Sequence, residues 1–237
     1  FDPQPLAAAS LGQVHRATLH PKHLTRPGDA RPEASQTPIQ VVVKIQRPDI
    51  ENMIKIDLSA LNTVGRWVQR YRPIRRRANV PALLNEFSRI LYQEIDYLAE
   101  GRNAEIFAEN FSTDPRVRVP KVYWTHTTVR ILTLENVYAI KITDYNSITQ
   151  AQINRSQVAS VLLDTYLQQI FKDGFFHADP HPGNLFVEPF PLSPTLPASV
   201  SSQPSPTVGP IEPPGITWQV TFVDFGMVGH VPERLLQ

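Results

Sequence analysis

Phe176-His177-Ala178-Asp179-Pro180-His181-Pro182-Gly183-Asn184 is followed, forty residues after Asn184, by the aspartate of Val223-Asp224-Phe225-Gly226. An aspartate, an asparagine five positions on, and an Asp-Phe-Gly behind an apolar run form a set that suits phosphoryl transfer. That reaction asks little covalent chemistry of the protein. It needs a carboxylate at the attacking hydroxyl and oxygen ligands that hold Mg²⁺ against the phosphates. Asp179 suits the first role. Asn184 and Asp224 suit the second, because Mg²⁺ prefers hard oxygens and is usually held by one or two carboxylates plus phosphate. Asp-Pro, Pro-Gly and Gly-Asn are also ordinary loop dipeptides, so a plain turn would explain the first segment alone. The Asp-Phe-Gly behind Val220-Thr221-Phe222-Val223 makes coincidence the weaker reading.

Working toward the N-terminus, Val41-Val42-Val43-Lys44-Ile45 reads as a strand buried on at least one face. A lysine there either snorkels to water at an edge or meets an anion, since lysine is almost never buried unpaired. Pro81-Ala82-Leu83-Leu84 opens one predicted helix running to Phe111, with Leu83, Leu84, Phe87, Ile90, Leu91, Ile95 and Leu98 on its apolar stripe. Glu94, Asp96 and Glu100 fall on that helix, and Asp96 and Glu100, four apart, share a face. A solvated acidic face is the ordinary reading; Lys44 gives one of the three a partner. Ahead of Lys44 stands Pro5-Leu6-Ala7-Ala8-Ala9-Ser10-Leu11-Gly12-Gln13-Val14-His15-Arg16-Ala17, with no Gly-x-Gly-x-x-Gly. Alanine does not visit positive φ as glycine does. Taken alone, this is a short apolar hairpin.

Together these segments resemble the UbiB family of atypical kinase-like proteins. The matching residues are Ala7-Ala8-Ala9-Ser10 with Gln13-Val14-His15-Arg16-Ala17, and Val43-Lys44-Ile45-Gln46-Arg47-Pro48. They continue with Glu94-Ile95-Asp96-Tyr97-Leu98-Ala99-Glu100, then Asn103-Ala104-Glu105, Phe107, the His177–Asn184 segment and Asp224-Phe225-Gly226. The resemblance implies an α+β, two-lobed protein-kinase-like fold with an antiparallel N-lobe sheet and a truncated helical C-lobe. It implies that Ala7, Ala8, Ala9 and Ser10 form the loop over the nucleotide, and that Lys44 meets the phosphates and pairs with Glu100. Glu94 and Asp96 become the family's Glu-x-Asp pair, turned toward the site. Leu132–Val137 becomes the strand whose backbone at Glu135 and Val137 meets adenine. His181 stands where many protein kinases have lysine. ATP or ADP with Mg²⁺ is the implied cofactor. Membrane lipid and quinone-biosynthesis proteins are implied partners, and the implied setting is the bacterial cytoplasm or inner-membrane periphery, or a mitochondrion or plastid. Two departures stand out. The family's Lys-x-Gly-Gln helices before the alanine loop are absent, and only eleven residues follow Gly226, so the chain reads as a fragment or truncated gene product.

The 237 residues are expected to divide into an N-lobe, 1–137, and a partial C-lobe, 138–237. At 41% hydrophobic content there is enough for a core; without cysteine neither disulfides nor thiolate metal sites arise. A net charge of +1 offers no global attraction to nucleic acid, which is not an expected partner. Arg66, Arg70, Arg72, Arg75, Arg76 and Arg77 crowd one stretch, a solvated connector or a contact for anionic groups. No apolar run approaches the roughly twenty residues of a membrane span. Residues 20–39, with four prolines, and 189–214, with nine, read as surface insertions.

Further elements are predicted as strands Gly12–Leu19, Gln40–Gln46, Val119–Thr125, Thr128–Glu135, Leu185–Val187 and Trp218–Val223, with helices Asp49–Tyr71 and Ser156–Lys172. The leading expectation is an ATP-binding atypical kinase or ATPase of ubiquinone or prenylquinone metabolism. A small-molecule phosphotransferase of the aminoglycoside or choline kinase type and a nucleotide-binding pseudokinase scaffold are the alternatives.

Overall fold

The computed structural model describes residues 1–8, 11–20, 38–190 and 217–236. Ala9, Ser10 and nearly all of the two expected insertions lie outside the described residues. The valine-rich strand β3 (Ile39–Gln46) is central to the first sheet. It pairs antiparallel with β2 (Gly12–Leu19) over eight residues, placing Lys44 opposite Val14, and with β5 (Ile131–Glu135), placing Lys44 opposite Leu132. The edge strand β1 (Pro5–Ala8) completes the order β1-β2-β3-β5. Val41 and Val43 alternate into the interior, as period-two burial requires.

Helix α1 (Ile50–Arg70) buries Ile50, Ile54 and Leu58 against Ile95 and Leu91. Leu61 and Val64, which helical spacing places on the same face, are 41% and 53% exposed. A four-residue helix, α2 (Arg72–Arg75), follows, and all six arginines of the basic stretch are exposed.

The predicted helix Pro81–Phe111 is instead two: α3 (Val80–Glu94) and α4 (Tyr97–Asn110). Two side chains cause the break. Asp96 caps α4 by accepting the Ala99 amide at 2.9 Å, and Gln46 of β3 donates its amide to the Ile95 carbonyl. A cap residue has left helical geometry, so Asp96 does not share a helical face with Glu100.

The predicted strand Val119–Thr125 is also absent. In its place come β4 (Val117–Arg118), one bridge between Val122 and Leu134, and a 3₁₀ turn at Trp124–His126. Threonine hydroxyls supply the local bonds: Thr133 Oγ1 donates to the His126 carbonyl at 2.7 Å, and Thr127 Oγ1 to that of Tyr123 at 3.0 Å. Such side-chain bonds compete with ladder formation.

A second sheet has the order β4-β9-β8-β6. In it β8 (Leu185–Pro189) and β9 (Trp218–Phe222) are antiparallel, with β6 (Ile140–Lys141) at one edge. Helix α5 (Tyr145–Gln150) precedes α6 (Arg155–Gln168), which Asn154 caps through the Ser156 and Gln157 amides. A π-helical turn, Gln169–Asp173, continues α6 into β7 (Phe175–His177), which pairs with β10 (Val228–His230). Phe107, Leu132, Val187, Val220 and Phe222 form a fully buried core beside the loop 178–184.

Gly174 ends the π-helical turn at φ 62°, and a Cβ there would lie 2.6 Å from Leu236 Cδ1. Gly174→Ala is expected to cost about 1 kcal/mol or more from the backbone alone. The check is a lowered melting temperature with unchanged far-ultraviolet dichroism.

Candidate active site

Lys44 projects from the middle of the first sheet, and two distant segments deliver carboxylates to it. Glu100, in the first turn of α4, accepts from Lys44 Nζ at 2.7 Å; Asp224, just beyond β9, accepts at 3.2 Å. The Glu100 side chain is 3% exposed, Lys44 19% and Asp224 42%, so the cluster opens to solvent on the Asp224 side. Burial opposes the charge on Lys44, but Glu100 and Asp224 outweigh it and hold the ammonium well above the ordinary lysine range. Burial pushes the Glu100 carboxyl up to about 7; Lys44 resists that shift, and Asp224 and Glu94 add to it.

Glu94, at the end of α3, faces the same space. Its Oε1 lies 3.4 Å from where a Gly226 Cβ would stand. Burial first, then Asp224 and Asp179, raise its pKa, with Lys44 opposing. Asp96 differs, because one of its carboxylate oxygens is committed to the α4 cap.

The loop after β7 is tied internally and to the Asp224 strand. Asn184 Nδ2 donates to Asp179 Oδ2 at 2.8 Å and to its carbonyl at 3.3 Å. The Val223 amide donates to the Asn184 carbonyl at 3.0 Å. His177 is 1% exposed; its Nδ1 accepts the Asp179 amide at 3.3 Å and its Nε2 donates to the Val223 carbonyl at 3.1 Å. Those two partners select the tautomer with hydrogen on Nε2. Phe225 packs between Phe107 and His177, with ring centroids 5.1 and 5.2 Å away. Asn103 of α4 donates to its carbonyl at 3.0 Å. Asp224 itself has φ 65°, a conformation that non-glycine residues adopt at a cost and that concentrates at functional positions.

The remaining expected positions are more peripheral. Ala7 and Ala8 are exposed in β1, paired with Val14 and Gln13. The Glu135 amide donates to the Lys121 carbonyl at 2.8 Å and is thus committed within the protein. Its carboxylate binds Arg118 at 2.7 Å, and Arg118 also binds Glu188 of β8. Val137 is half-buried, and its amide makes no hydrogen bond among the described residues. His181 is exposed, and its Nδ1 accepts the Gly183 amide at 3.0 Å.

Sequence reasoning gave no role to Gln169, Gln46 or Arg118. Gln169 is fully buried and accepts the His177 amide at 2.9 Å, fixing the loop from the π-helical turn. Local periodicity carries no signal for such bonds, because each partner lies on another element.

No three His, Cys, Asp or Glu side chains among the described residues gather into a metal-holding group by themselves. Nevertheless, the donors suit Mg²⁺. Asn184 directs its Nδ2 to Asp179 and keeps its amide oxygen available; Asp224 adds a carboxylate. Such a partial set matches an ion whose remaining ligands are water and substrate phosphate.

A lysine on an antiparallel sheet, a helix glutamate bound to it, and the Asp179, Asn184 and Asp224 segments beside them define a kinase-like fold. The chain belongs to the ABC1 family: the sequence model of the ABC1 atypical kinase-like domain matches residues 1–27 and 29–237. An uncharacterised Synechocystis protein is 39% identical over 98% of this chain and 32% of its own length. "Protein ACTIVITY OF BC1 COMPLEX KINASE 8, chloroplastic" of Arabidopsis thaliana is 40% identical over 79% of this chain and 23% of its own length. "Probable protein kinase UbiB" of Xylella fastidiosa is 33% identical over 99% of this chain and 36% of its own length. The chain thus spans about a quarter to a third of these relatives. In the solved Rv3197–erythromycin complex from Mycobacterium tuberculosis, Rv3197 matches the fold with a TM-score of 0.64 at 23% identity, over 98% of this chain and 47% of that one. No described helix is long and apolar enough to cross a membrane.

Proposed function

We propose that this domain binds Mg·ATP, or Mg·ADP, and carries out phosphoryl transfer or ATP hydrolysis as an atypical kinase. The observation that carries this reading is Lys44 held between Glu100 at 2.7 Å and Asp224 at 3.2 Å, with Glu94 and Asp179 close by. Four carboxylates around one described cation favour an added divalent ion, since mutual repulsion disfavours their ionised forms. A bound Mg²⁺ would supply charge neutralisation at the phosphates.

The chain's own residues have separable tasks. Lys44 offers a preorganised ammonium to phosphate oxygens, oriented by Glu100. Asn184 and Asp224 offer the oxygens that would hold the metal. Asn184 bonds Asp179 Oδ2, which leaves Oδ1 to accept the proton of an attacking hydroxyl or water. Placement in ubiquinone or prenylquinone metabolism rests on family membership. Quinone-biosynthesis proteins and membrane lipid are proposed partners on the same ground.

The test is ATP turnover in Mg²⁺ and in excess chelator, with aminoglycoside and choline acceptors run in parallel. Turnover that needs Mg²⁺ and ignores those acceptors supports the reading; turnover indifferent to chelator contradicts it. Asp224→Asn is expected to weaken Mg·ATP affinity at least tenfold while altering metal-free nucleotide affinity little. Isothermal titration with and without Mg²⁺ is the check.

A further inference from the structure

We infer that the Tyr97 hydroxyl is a hydrogen-bond donor in the phosphate subsite, placed beneath the strand that follows the alanine-rich loop. This inference rests on the nucleotide-binding reading above. Tyr97 opens α4, three residues before Glu100, and its side chain is only 4% exposed. Three and four residues along a helix bring side chains onto one face, so the phenol and the Glu100 carboxylate are presented together. Lys44 Nζ lies 5.5 Å from the Tyr97 ring centroid, within the range where a cation is drawn to an aromatic face. One residue therefore contacts the ammonium proposed to meet phosphate.

The hydroxyl lies close beneath Gly12. A Cβ at Gly12 would stand 2.6 Å from Tyr97 Oη and 2.7 Å from the Ile45 carbonyl. Only a residue without a side chain leaves the phenol room there. Gly12 begins β2, directly after the loop expected to cover the nucleotide, and β2 pairs Val14 with Lys44. The hydroxyl thus lies between the root of that loop and the Lys44 strand. It makes no hydrogen bond to the Lys44–Glu100 pair beside it, and it is not among the enclosed, unpaired side-chain atoms of the described residues. Burial raises its pKa; Lys44 opposes the shift, and Glu100, Asp224 and Glu94 add to it. The group therefore stays protonated and able to donate.

The chemistry that fits is an anionic oxygen of a nucleoside di- or triphosphate. A carbonyl or neutral hydroxyl ligand would gain less from the adjacent ammonium than an anionic oxygen does. Loops rich in glycine approach phosphates with backbone amides; alanine restricts that approach, and a side-chain donor from below supplies a bond from the opposite side.

The experiment compares Tyr97→Phe with the wild-type chain by isothermal titration of Mg·ATP and of adenosine, alongside thermal melting. Loss of a hydrogen bond to a charged group is expected to weaken Mg·ATP about tenfold, with adenosine affinity and the melting curve unchanged. Equal weakening of both ligands, or no change in either, overturns the assignment. Lys44→Met is the control that separates the two levels. If it weakens Mg·ATP while Tyr97→Phe does not, the nucleotide site stands and the Tyr97 role is wrong. If neither variant alters Mg·ATP affinity, the nucleotide reading fails and takes this inference with it.

Discussion

Asp179→Asn is expected to reduce turnover by about a thousandfold, in the middle of the range for a positioned proton acceptor. Mg·ATP affinity should stay within about twofold of wild type. The substitution keeps shape and hydrogen-bonding capacity: Asn184 Nδ2, now 2.8 Å from Asp179 Oδ2, can still donate to the new amide oxygen. The Asp179 amide can still donate to His177 Nδ1. Only the ability to take a proton at the free oxygen is lost. Single-turnover rates with measured nucleotide affinity separate the two effects. A variant that turns over like wild type would show that Asp179 is not the proton acceptor.

Lys44→Met is expected to destabilise the domain by about 3 kcal/mol, because it leaves a buried carboxylate without its cation. The pH dependence identifies the cause. Glu100 has a folded pKa raised to about 7 from 4.5. The stability linked to its protonated form is fully present below the unfolded pKa near 4.5 and is lost as pH rises through 7. Removing Lys44 raises the folded pKa further, so the loss in the variant extends above pH 7. Chemical denaturation at pH 5 and pH 8 should show a larger variant deficit at pH 8. Adding Glu100→Gln to Lys44→Met should recover much of it, which a double-mutant cycle measures. An identical deficit at both pH values would mean that lost packing, not an unpaired charge, is responsible.

The elements legible in the sequence are those with long periodic patterns. Gly12–Leu19, Ile39–Gln46, Ile50–Arg70 and the β8–β9 pair all lie where alternation or helical spacing predicts them. The break at Ile95-Asp96 was hidden by an apolar stripe that runs through it without interruption. Asp96 is a strong cap residue, but the decisive bond comes from Gln46, on another strand. Val119–Thr125 has strand composition and still forms only a bridge, because Thr127 and Thr133 bond their own neighbourhood. The three-residue strands β7 and β10 are too short to leave a pattern, yet they bring Met227 to Ala178 within the His177–Asn184 segment.

Within the candidate site, residue type and spacing pointed to Lys44, Asp179, Asn184 and Asp224. Their convergence is tertiary: Lys44 and Asp224 are 180 residues apart and meet at 3.2 Å. The choice of Glu100 over Glu94 and Asp96 as lysine partner could not be read from spacing alone. It follows in the structure from Asp96 capping α4 and Glu94 ending α3, which leaves the carboxylate of the first α4 turn beneath β3. The Arg118 cluster with Glu135 and Glu188, which joins the two sheets, had no sequence signal, since arginine and glutamate are common surface residues.

The most direct measurement is isothermal titration of the wild-type chain with ATP, first in Mg²⁺ and then in excess chelator. The predicted result is saturable one-to-one binding in Mg²⁺ that weakens at least tenfold when the metal is removed. Absence of binding, or an affinity that ignores both the metal and substitution of Asp224, would contradict a Mg·nucleotide site at Lys44, Asn184 and Asp224.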